Sequence, residues 1–267
     1  PMSASPAQEP APPNSPSRRR RGESAAPGPI AAVFERIRET FIGRVLLCCL
    51  AGTLLFLACA DFDIWPLAWI GLVPFFFVLF DTHGAPREGR GWRHSPFLLG
   101  LCCGLVANAG GFYWIVGLLM RFGHLPFVAA LPIFLLLVTY QALTFAIFAA
   151  LLCHLAAQID IALTLLAPVC WVACELCVPY VFPWYLAITQ AWVPPVIQIA
   201  EITGPLGVSF LLVLSSAALF DVLCAVRRHR RRASISTSSL PKVATATSAV
   251  LCDRRSNEAA TRRSRRS

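Results

Sequence analysis

Charge is scarce in this sequence. Charged residues make up 14% of the 267 residues, whereas a soluble globular domain is about a quarter charged. The scarcity is concentrated between Val45 and Val226, where apolar runs are almost uninterrupted. Such a composition excludes an ordinary soluble domain. It predicts a membrane protein, because a helix needs roughly 20 apolar residues to cross the hydrocarbon of a bilayer.

Six apolar segments fill this region, and we predict that each is a transmembrane helix. Helices are favoured because backbone groups in lipid must find their hydrogen bonds within the protein. The predicted fold class is therefore all-α, a polytopic membrane bundle of about six transmembrane helices with disordered basic termini. The segments are Val45–Ala60, Ile64–Phe80, Pro96–Met120, Leu125–Ala157, Ile161–Val181 and Gly204–Val226. The first two are short and depend on their flanks.

The net charge of +9 belongs to the two ends of the chain. Residues 1–44 carry a net +3, residues 45–226 a net −4 and residues 227–267 a net +10. We therefore predict a disordered basic cytoplasmic arm over residues 1–44, a transmembrane bundle over residues 45–226 and a disordered basic cytoplasmic tail over residues 227–267. Since Arg and Lys mark the cytoplasmic side, both termini are predicted inside. The outer loops are then Asp61–Asp63, Arg121–His124 and Phe182–Thr203.

The two basic ends carry few further signals. In the arm, the spacing of Val33, Ile37 and Phe41 favours a short interfacial helix, and no cleavage site of a signal peptide is recognisable. Charge alone predicts that the basic ends contact anionic lipid. No aromatic residues interleave the arginines of the tail, so we expect no nucleic-acid partner.

Cysteine is frequent, but its positions do not indicate disulfides or a metal centre. Ten of the eleven cysteines lie in or beside apolar segments, where a free thiol behaves as a small hydrophobic group. Cys170, Cys174 and Cys177 have the C-x3-C-x2-C spacing of a radical iron–sulfur loop. They lie in an apolar run without a glycine-rich loop, so we expect packing cysteines and no metal or cofactor.

Glu175 is the polar residue that stands out. It lies within an apolar run, where an ionisable side chain costs roughly 2.5 kcal/mol or more to insert, whereas Glu201 and Asp221 lie nearer to segment ends. Glu175 therefore either borders a polar substrate path or makes a structural hydrogen bond to a neighbouring helix. Asn108 and Gln141 are predicted to pair between helices.

Aromatic residues and prolines crowd the predicted outer loops. An interfacial aromatic belt explains the aromatics on its own. The prolines at 183, 194, 195 and 205 also predict a long non-helical outer segment, which would line a mouth open to lipid. Together these features give seven substrate-path candidates, namely Glu175, Phe182, Pro183, Trp184, Gln190, Trp114 and Trp65.

Four stretches occur in an order that resembles a known family. They are FDIWPLAWIGLVP, GLVANAGGFYWIVGLLMRFGHLP, LAPVCWVACELCVPYVFPWYLAITQ and IQIAEITGPLGVSFLLVLSSAAL. Over residues 45–230 the chain looks like the membrane half of bacterial apolipoprotein N-acyltransferase. Its most specific motifs are F-D-x-W-P-L, the Y-W run that ends in F-G-x-L-P, and A-P-x-x-W-x-x-x-E followed by F-P-W and Gln190.

The resemblance implies transfer of an acyl chain from phospholipid to the N-terminal cysteine of a lipoprotein, in the inner membrane. It also implies a bundle of eight helices with a nitrilase-like domain that supplies Glu, Lys and Cys for covalent catalysis. That catalytic domain is missing from these 267 residues, whose one lysine is Lys242. Two departures concern the membrane part. The family usually has Arg-Gly shortly after the Glu, whereas Glu175 is followed by Leu176, Cys177, Val178 and Pro179, and Ile188 stands where a Tyr is usual.

The sequence leaves open whether the chain is an enzyme. It predicts the membrane module of the acyltransferase, as a fragment, a truncated copy or half of a split enzyme with a separate nitrilase-like chain, and not catalytic alone. The alternative is a non-enzymatic integral membrane protein that binds lipid or partner helices. A small-solute transporter is a third hypothesis, but spans one to three do not repeat in spans four to six, as its symmetry would require.

Overall fold

A computed structural model describes residues 38–59, 62–87 and 94–238. Within these ranges there is no strand, and the chain forms eight α-helices and one 3-10 helix. The helices are α1 (Phe41–Leu57), α2 (Pro66–Ile70), α3 (Val73–Leu79), α4 (Pro96–Gly111), α5 (Trp114–Arg121), α6 (Phe127–Gln158), α7 (Leu163–Cys177), the 3-10 helix Leu186–Gln190, and α8 (Pro194–Ser238). Most of the predicted arm and tail lies outside the described residues.

The apolar helices coincide with the six predicted segments, but they differ in length. Among the described residues, α6 and the part of α8 up to Arg230 are long and apolar enough to cross a membrane, and α4 with α5 forms a third such unit bent by 52°. Helices α1, α7 and the α2–α3 pair are shorter. At 1.5 Å per residue, the 15 residues of α7 span about 22 Å. The all-α membrane bundle is confirmed, while the number six remains a prediction.

The α3 part of the second predicted segment lies in the interior of the bundle. Gly71 and Leu72 separate α2 from α3, and Phe75, Phe76 and Phe80 are completely buried. The ring of Phe220 on α8 lies 4.8 Å from that of Phe77 in an edge-on arrangement. The apolar run around α3 therefore reflects burial on all sides, which composition alone does not distinguish from contact with lipid.

Glycines allow α4 to pack closely against two neighbours. A Cβ on Gly104 would lie 2.9 Å from the Cα of Ala142 on α6, and one on Gly52 of α1 would lie 2.5 Å from the carbonyl oxygen of Cys103. Small residues at helix contacts let backbones approach in this way in membrane proteins. The spacing Gly100-x3-Gly104 places two such residues on one face of α4.

The prediction of a long non-helical outer segment over Phe182–Thr203 is wrong for most of that range. Residues 186–190 form the 3-10 helix, and residues 194–203 are the first part of α8. Pro194 fits the first turn of a helix, where no backbone N–H is required. The real interruption is at Gly204, whose φ of 69° lies in the left-handed region that glycine tolerates. Pro205 follows it and begins the apolar part of α8.

Candidate functional site at the aromatic end

The carboxyl group of Glu175 lies in the last turn of α7 and is 3% exposed. Its Oε1 accepts a hydrogen bond from the backbone N–H of Leu186 at 2.8 Å and a second from the hydroxyl of Ser209 on α8 at 3.1 Å. Helix α7 ends at Cys177, and Pro179 follows soon after. Proline disfavours the helical conformation in the residue before it, so the chain leaves α7 here and returns to Glu175 at the 3-10 helix.

Ser209 on α8 binds the same first turn of the 3-10 helix that Glu175 binds. Its Oγ accepts a hydrogen bond from the backbone N–H of Ala187 at 3.1 Å and is completely buried. The first N–H groups of a helix have no partner within that helix. Here α7 and α8 supply those partners through Glu175 and Ser209, so the two side chains fix the beginning of the 3-10 helix.

Gln190 fixes the end of the same 3-10 helix and is 1% exposed. Its Nε2 donates to the backbone oxygen of Trp65 at 3.1 Å, and its Oε1 accepts from the indole N–H of Trp69 at 3.2 Å. The backbone oxygen of Trp69 in turn accepts hydrogen bonds from Ser215 and Ser216 on α8, both at 2.8 Å. A connected set of polar groups therefore joins α2, the 3-10 helix and α8.

Helix α6 holds the segment between α7 and the 3-10 helix. The hydroxyl of Tyr140 donates to the backbone oxygen of Pro179 at 2.7 Å, and Gln141 Nε2 donates to that of Phe182 at 2.9 Å. The predicted pairing of Gln141 with Asn108 is wrong, since Asn108 Nδ2 donates to Gly104 in its own helix and Gln141 Nε2 donates to Phe182.

Aromatic rings surround this held segment. The ring of Phe182 lies 6.3 Å from that of Phe112 and 6.5 Å from that of Trp114. Trp184 also packs on Phe112, at 6.3 Å, and is buried. Phe182, Trp114 and Trp65 remain 39%, 45% and 42% exposed. We call this face, defined by Trp65, Trp114, Phe182 and Trp184, the aromatic end of the bundle.

The seven predicted site residues fall into two groups around residues 178–190. Glu175, Gln190 and Trp184 are buried supports, whereas Phe182, Pro183, Trp114 and Trp65 are exposed. Of the two interpretations of Glu175, its contacts match the structural one, in which the carboxyl hydrogen-bonds a neighbouring helix. A polar cavity that leads from Glu175 to the outer face remains a prediction.

An apolar groove lies beside the buried supports. Its volume is about 410 Å³, and its lining comes from α7 and α8 on both sides of Gly204, namely Val172, Ile199, Thr203, Leu206, Gly207, Phe210 and Leu211.

Sequence reasoning missed Ser209 and Trp69, which complete the network. A serine inside an apolar helix is a common packing residue in membranes, so nothing in the sequence singles out Ser209. Trp69 lies in the W-P-L-A-W turn with Trp65, and only its position in the fold shows that its indole meets Gln190. A tryptophan four residues after another near a helix start was the one available signal.

The other end of the bundle is basic. Arg44 bonds the ring of His94 and the backbone oxygen of residue 38 at 3.1 Å, and Arg228 donates to the backbone oxygen of Thr82 at 3.1 Å. The guanidinium of Arg227 lies 4.7 Å above the ring of Phe77. We call this face, defined by Arg44, Arg227 and Arg228, the basic end. At 1.5 Å per residue, Arg228 is about 28 Å along α8 from Ser209.

Fold and site together define an integral membrane protein of the all-α class, in which a buried glutamate and glutamine hold the segment that follows α7 between aromatic side chains. The family described as the apolipoprotein N-acyltransferase N-terminal domain matches residues 51–218. The chain therefore belongs to the apolipoprotein N-acyltransferase family, as a match to its N-terminal domain. This confirms the resemblance seen in the sequence.

Curated relatives extend the same match. The chain is 35% identical over 182 residues to an apolipoprotein N-acyltransferase of Geobacter metallireducens. The matched residues make up 67% of this chain and 33% of that protein. It is 31% identical over 188 residues to apolipoprotein N-acyltransferase 2 of Leptospira interrogans, covering 70% and 30%. The chain thus spans about a third of the length of the curated relatives it matches.

Proposed function

We propose that residues 45–226 act as the membrane module of an apolipoprotein N-acyltransferase, which transfers an acyl chain from phospholipid to a lipoprotein in the bacterial inner membrane. The observation that carries this proposal is the family match over residues 51–218. The relatives are named for the acyltransferase activity. The module would present the aromatic end, where Trp65, Trp114, Phe182 and Pro183 are exposed, to the lipid and lipoprotein substrates.

Within this module, Glu175 and Gln190 act as positioning residues for the substrate path. Their support is geometric, since both side chains are buried. Glu175 accepts a hydrogen bond from the 3-10 helix that follows Phe182 and Trp184, and Gln190 joins the end of that helix to the backbone oxygen of Trp65. Fixing a surface segment from beneath keeps its aromatic side chains in one arrangement, and binding then costs less conformational entropy.

The orientation we propose places the basic end in the cytoplasm and the aromatic end in the periplasm. Arg44, Arg227 and Arg228 lie together at the basic end, and positive residues are retained on the cytoplasmic side. Tryptophan at the aromatic end suits the opposite membrane interface. Both termini of the 267 residues are then cytoplasmic, where basic segments contact anionic lipid.

We further propose that these 267 residues do not transfer acyl chains alone. The chemistry implied by the family needs a Glu, a Lys and a Cys nucleophile, and Lys242 is the one lysine here. A nitrilase-like partner, in the same polypeptide or a separate one, would supply that chemistry. The purified 267 residues should therefore show no N-acylation of a diacylated lipoprotein. Measurable turnover that disappears on mutating a residue of this chain would contradict this proposal.

A chimera tests the membrane-module proposal. Residues 45–226 replace the matching region of the Geobacter metallireducens enzyme, and the chimera is expressed in cells depleted of their own N-acyltransferase. Mass spectrometry of a reporter lipoprotein should detect the third acyl chain, and growth should be restored.

The matched controls are the same chimera with Glu175→Ala and with Glu201→Ala. Glu175→Ala should abolish or strongly reduce the product, whereas Glu201→Ala, which changes an exposed carboxyl, should not. A folded, membrane-inserted chimera that yields no triacylated reporter would refute the proposal.

The alternative function is a non-enzymatic membrane protein that binds a lipid or a partner helix. The exposure of Trp192 (70%) and Ile202 (90%) near the first turns of α8 favours such a surface. An inactive chimera together with a stable co-purified lipid or membrane partner, lost on Trp192→Ser, would support this alternative over the acyltransferase module.

A further inference from the structure

The apolar groove between α7 and α8 runs along one face of α8. Six of its seven lining residues come from α8, at positions 199, 203, 206, 207, 210 and 211, and Val172 supplies the wall on α7. Steps of three and four residues keep side chains on one face of a helix. The groove is therefore elongated, and it follows α8 across the break at Gly204.

The lining of this groove selects an apolar ligand. Six of the seven lining residues are valine, isoleucine, leucine, phenylalanine or glycine, and each of these six is half-buried. The seventh is Thr203, whose hydroxyl donates to the backbone oxygen of Ile199 in its own helix at 2.9 Å. A polar ligand would have to leave its own groups unpaired against these side chains, which is costly.

The dimensions of the groove select a narrow ligand. From position 199 to position 211 the lining covers about 18 Å of helix at 1.5 Å per residue. A volume of about 410 Å³ spread over that length corresponds to a cross-section of roughly 23 Å². An α-helix with its side chains is about 10 Å across, or roughly 80 Å² in section. A partner helix is therefore too wide to enter the groove, whereas a single extended hydrocarbon chain is not.

We propose that this groove binds one acyl chain of a bilayer phospholipid. Helix α8 up to Arg230 is apolar and long enough to cross a membrane, so acyl chains are the narrow apolar molecules that surround it. The bound chain contacts Val172 and Phe210, which lie one turn from Glu175 and next to Ser209. It therefore packs beside the hydrogen bond between Ser209 and Glu175.

This inference goes beyond the proposed acyltransferase function and does not require it, because the chain in the groove is a resident one and is not transferred.

Photolabelling of the 267-residue chain tests the site in nanodiscs of phosphatidylethanolamine and phosphatidylglycerol. A phosphatidylethanolamine with a diazirine at the middle of one acyl chain is added, and mass spectrometry measures the label at each residue. Val172, Phe210 and Leu211 should carry about threefold more label than Ile147 on α6, the effect of a few additional van der Waals contacts. Equal or lower labelling of the groove would mean contact with bulk lipid only, or cover by protein, and would overturn the proposal.

Ile147 is the matched lipid-facing position. It is 39% exposed, so a chain in the surrounding bilayer reaches it. It also lies at the depth of the groove, because Trp171, the neighbour of Val172, packs against Phe145 and Phe148 on either side of Ile147 in α6.

Two glycine variants test whether the groove itself holds the chain. A Cβ on Gly207 would press against the side chain of Thr203, so Gly207→Leu fills the groove and should lower the label on Phe210 to the level of Ile147. Gly117→Leu is the matched control in α5, where a Cβ meets no atom within 4 Å, and it should leave the label unchanged. Label on Phe210 that survives Gly207→Leu in the folded protein, or an equal loss in both variants, would overturn the proposal. If Gly207→Leu does not fold, the ratio measured in the wild type decides alone.

Discussion

The two ends of the bundle use polar groups in different ways, and α7 displays the contrast within one helix. In its last turn, Glu175 is 3% exposed and binds a backbone N–H of the 3-10 helix and a serine of α8. In its first turn, the backbone N–H of Thr164 donates to the carboxylate of Asp221 at 3.2 Å, and Asp221 is half-buried. Both carboxyls satisfy helix-terminal N–H groups, but only the first does so away from solvent.

The difference extends to the surrounding residues. At the aromatic end, Gln190 and Ser209 are at most 1% exposed and bind backbone of another element. At the basic end, Arg228 is half-buried and reaches a loop carbonyl. Polar groups at the aromatic end therefore fix backbone through desolvated hydrogen bonds, whereas those at the basic end bind backbone nearer to solvent. In the orientation we propose, the charge of the basic end also keeps that end in the cytoplasm.

The largest expected effect concerns orientation. A reporter that is active only in the periplasm should give no signal when fused after Arg232, because the orientation we propose places the basic end in the cytoplasm. The same reporter inserted in frame at Gly123, in the loop between α5 and α6, should be active. Strong activity after Arg232 with none at Gly123 would reverse the assignment of the two ends.

The second effect distinguishes the two carboxyls of α7. Glu175→Ala should lower the free energy of unfolding by about 3 kcal/mol, because it removes two buried hydrogen bonds and leaves an N–H and a hydroxyl unpaired. Asp221→Ala should cost only about 1 kcal/mol, like the loss of a helix cap. Denaturant unfolding in micelles measures both, with Glu175→Gln as the conservative variant that keeps an acceptor. Equal costs for the two alanine variants would remove the contrast.

The sequence predicts the class of the fold and some of its site residues, but it does not predict their contacts. Scarcity of charge identifies the membrane class and singles out Glu175, while the resemblance points to Gln190. The sequence does not reveal that Glu175 binds a backbone N–H 11 positions later or that Ser209 meets a turn 22 positions earlier. Such contacts are set by the return of the chain, which local pattern does not encode.

One error has a plain physical cause. The prolines at 194 and 195 predict an irregular loop, but proline is equally suited to the first turn of a helix, which is where Pro194 lies. The run around Phe75 and Phe76 shows a similar ambiguity: an apolar run is compatible with contact with lipid, and both residues are fully buried inside the bundle. In each case one residue type serves two environments, and only packing decides between them.

The third expected effect concerns Gln190 at the aromatic end. Gln190→Leu should lower the free energy of unfolding by roughly 1–2 kcal/mol, because the indole N–H of Trp69 and the carbonyl of Trp65 lose their partner. Gln198→Leu, at an exposed position of α8, should change it by less than about 0.5 kcal/mol. A double-mutant cycle with Trp69→Phe should show coupling. Additive costs in that cycle would mean that the bond from Trp69 to Gln190 contributes nothing.

The smallest effect is expected at the basic end. Arg228→Gln removes one charge and its bond to the carbonyl of Thr82, and it should lower the free energy of unfolding by less than about 0.5 kcal/mol, as surface substitutions usually do. The affinity of the micelle-held protein for added anionic lipid should weaken measurably, by about 1 kcal/mol for a single charge near the surface, and added salt should shrink that difference. Wild type and variant are compared in micelles with added neutral lipid and with added anionic lipid. If Arg228→Gln instead destabilises the fold as much as Glu175→Ala does, charge at the basic end holds backbone just as the buried groups do, and the division of roles between the two ends is wrong.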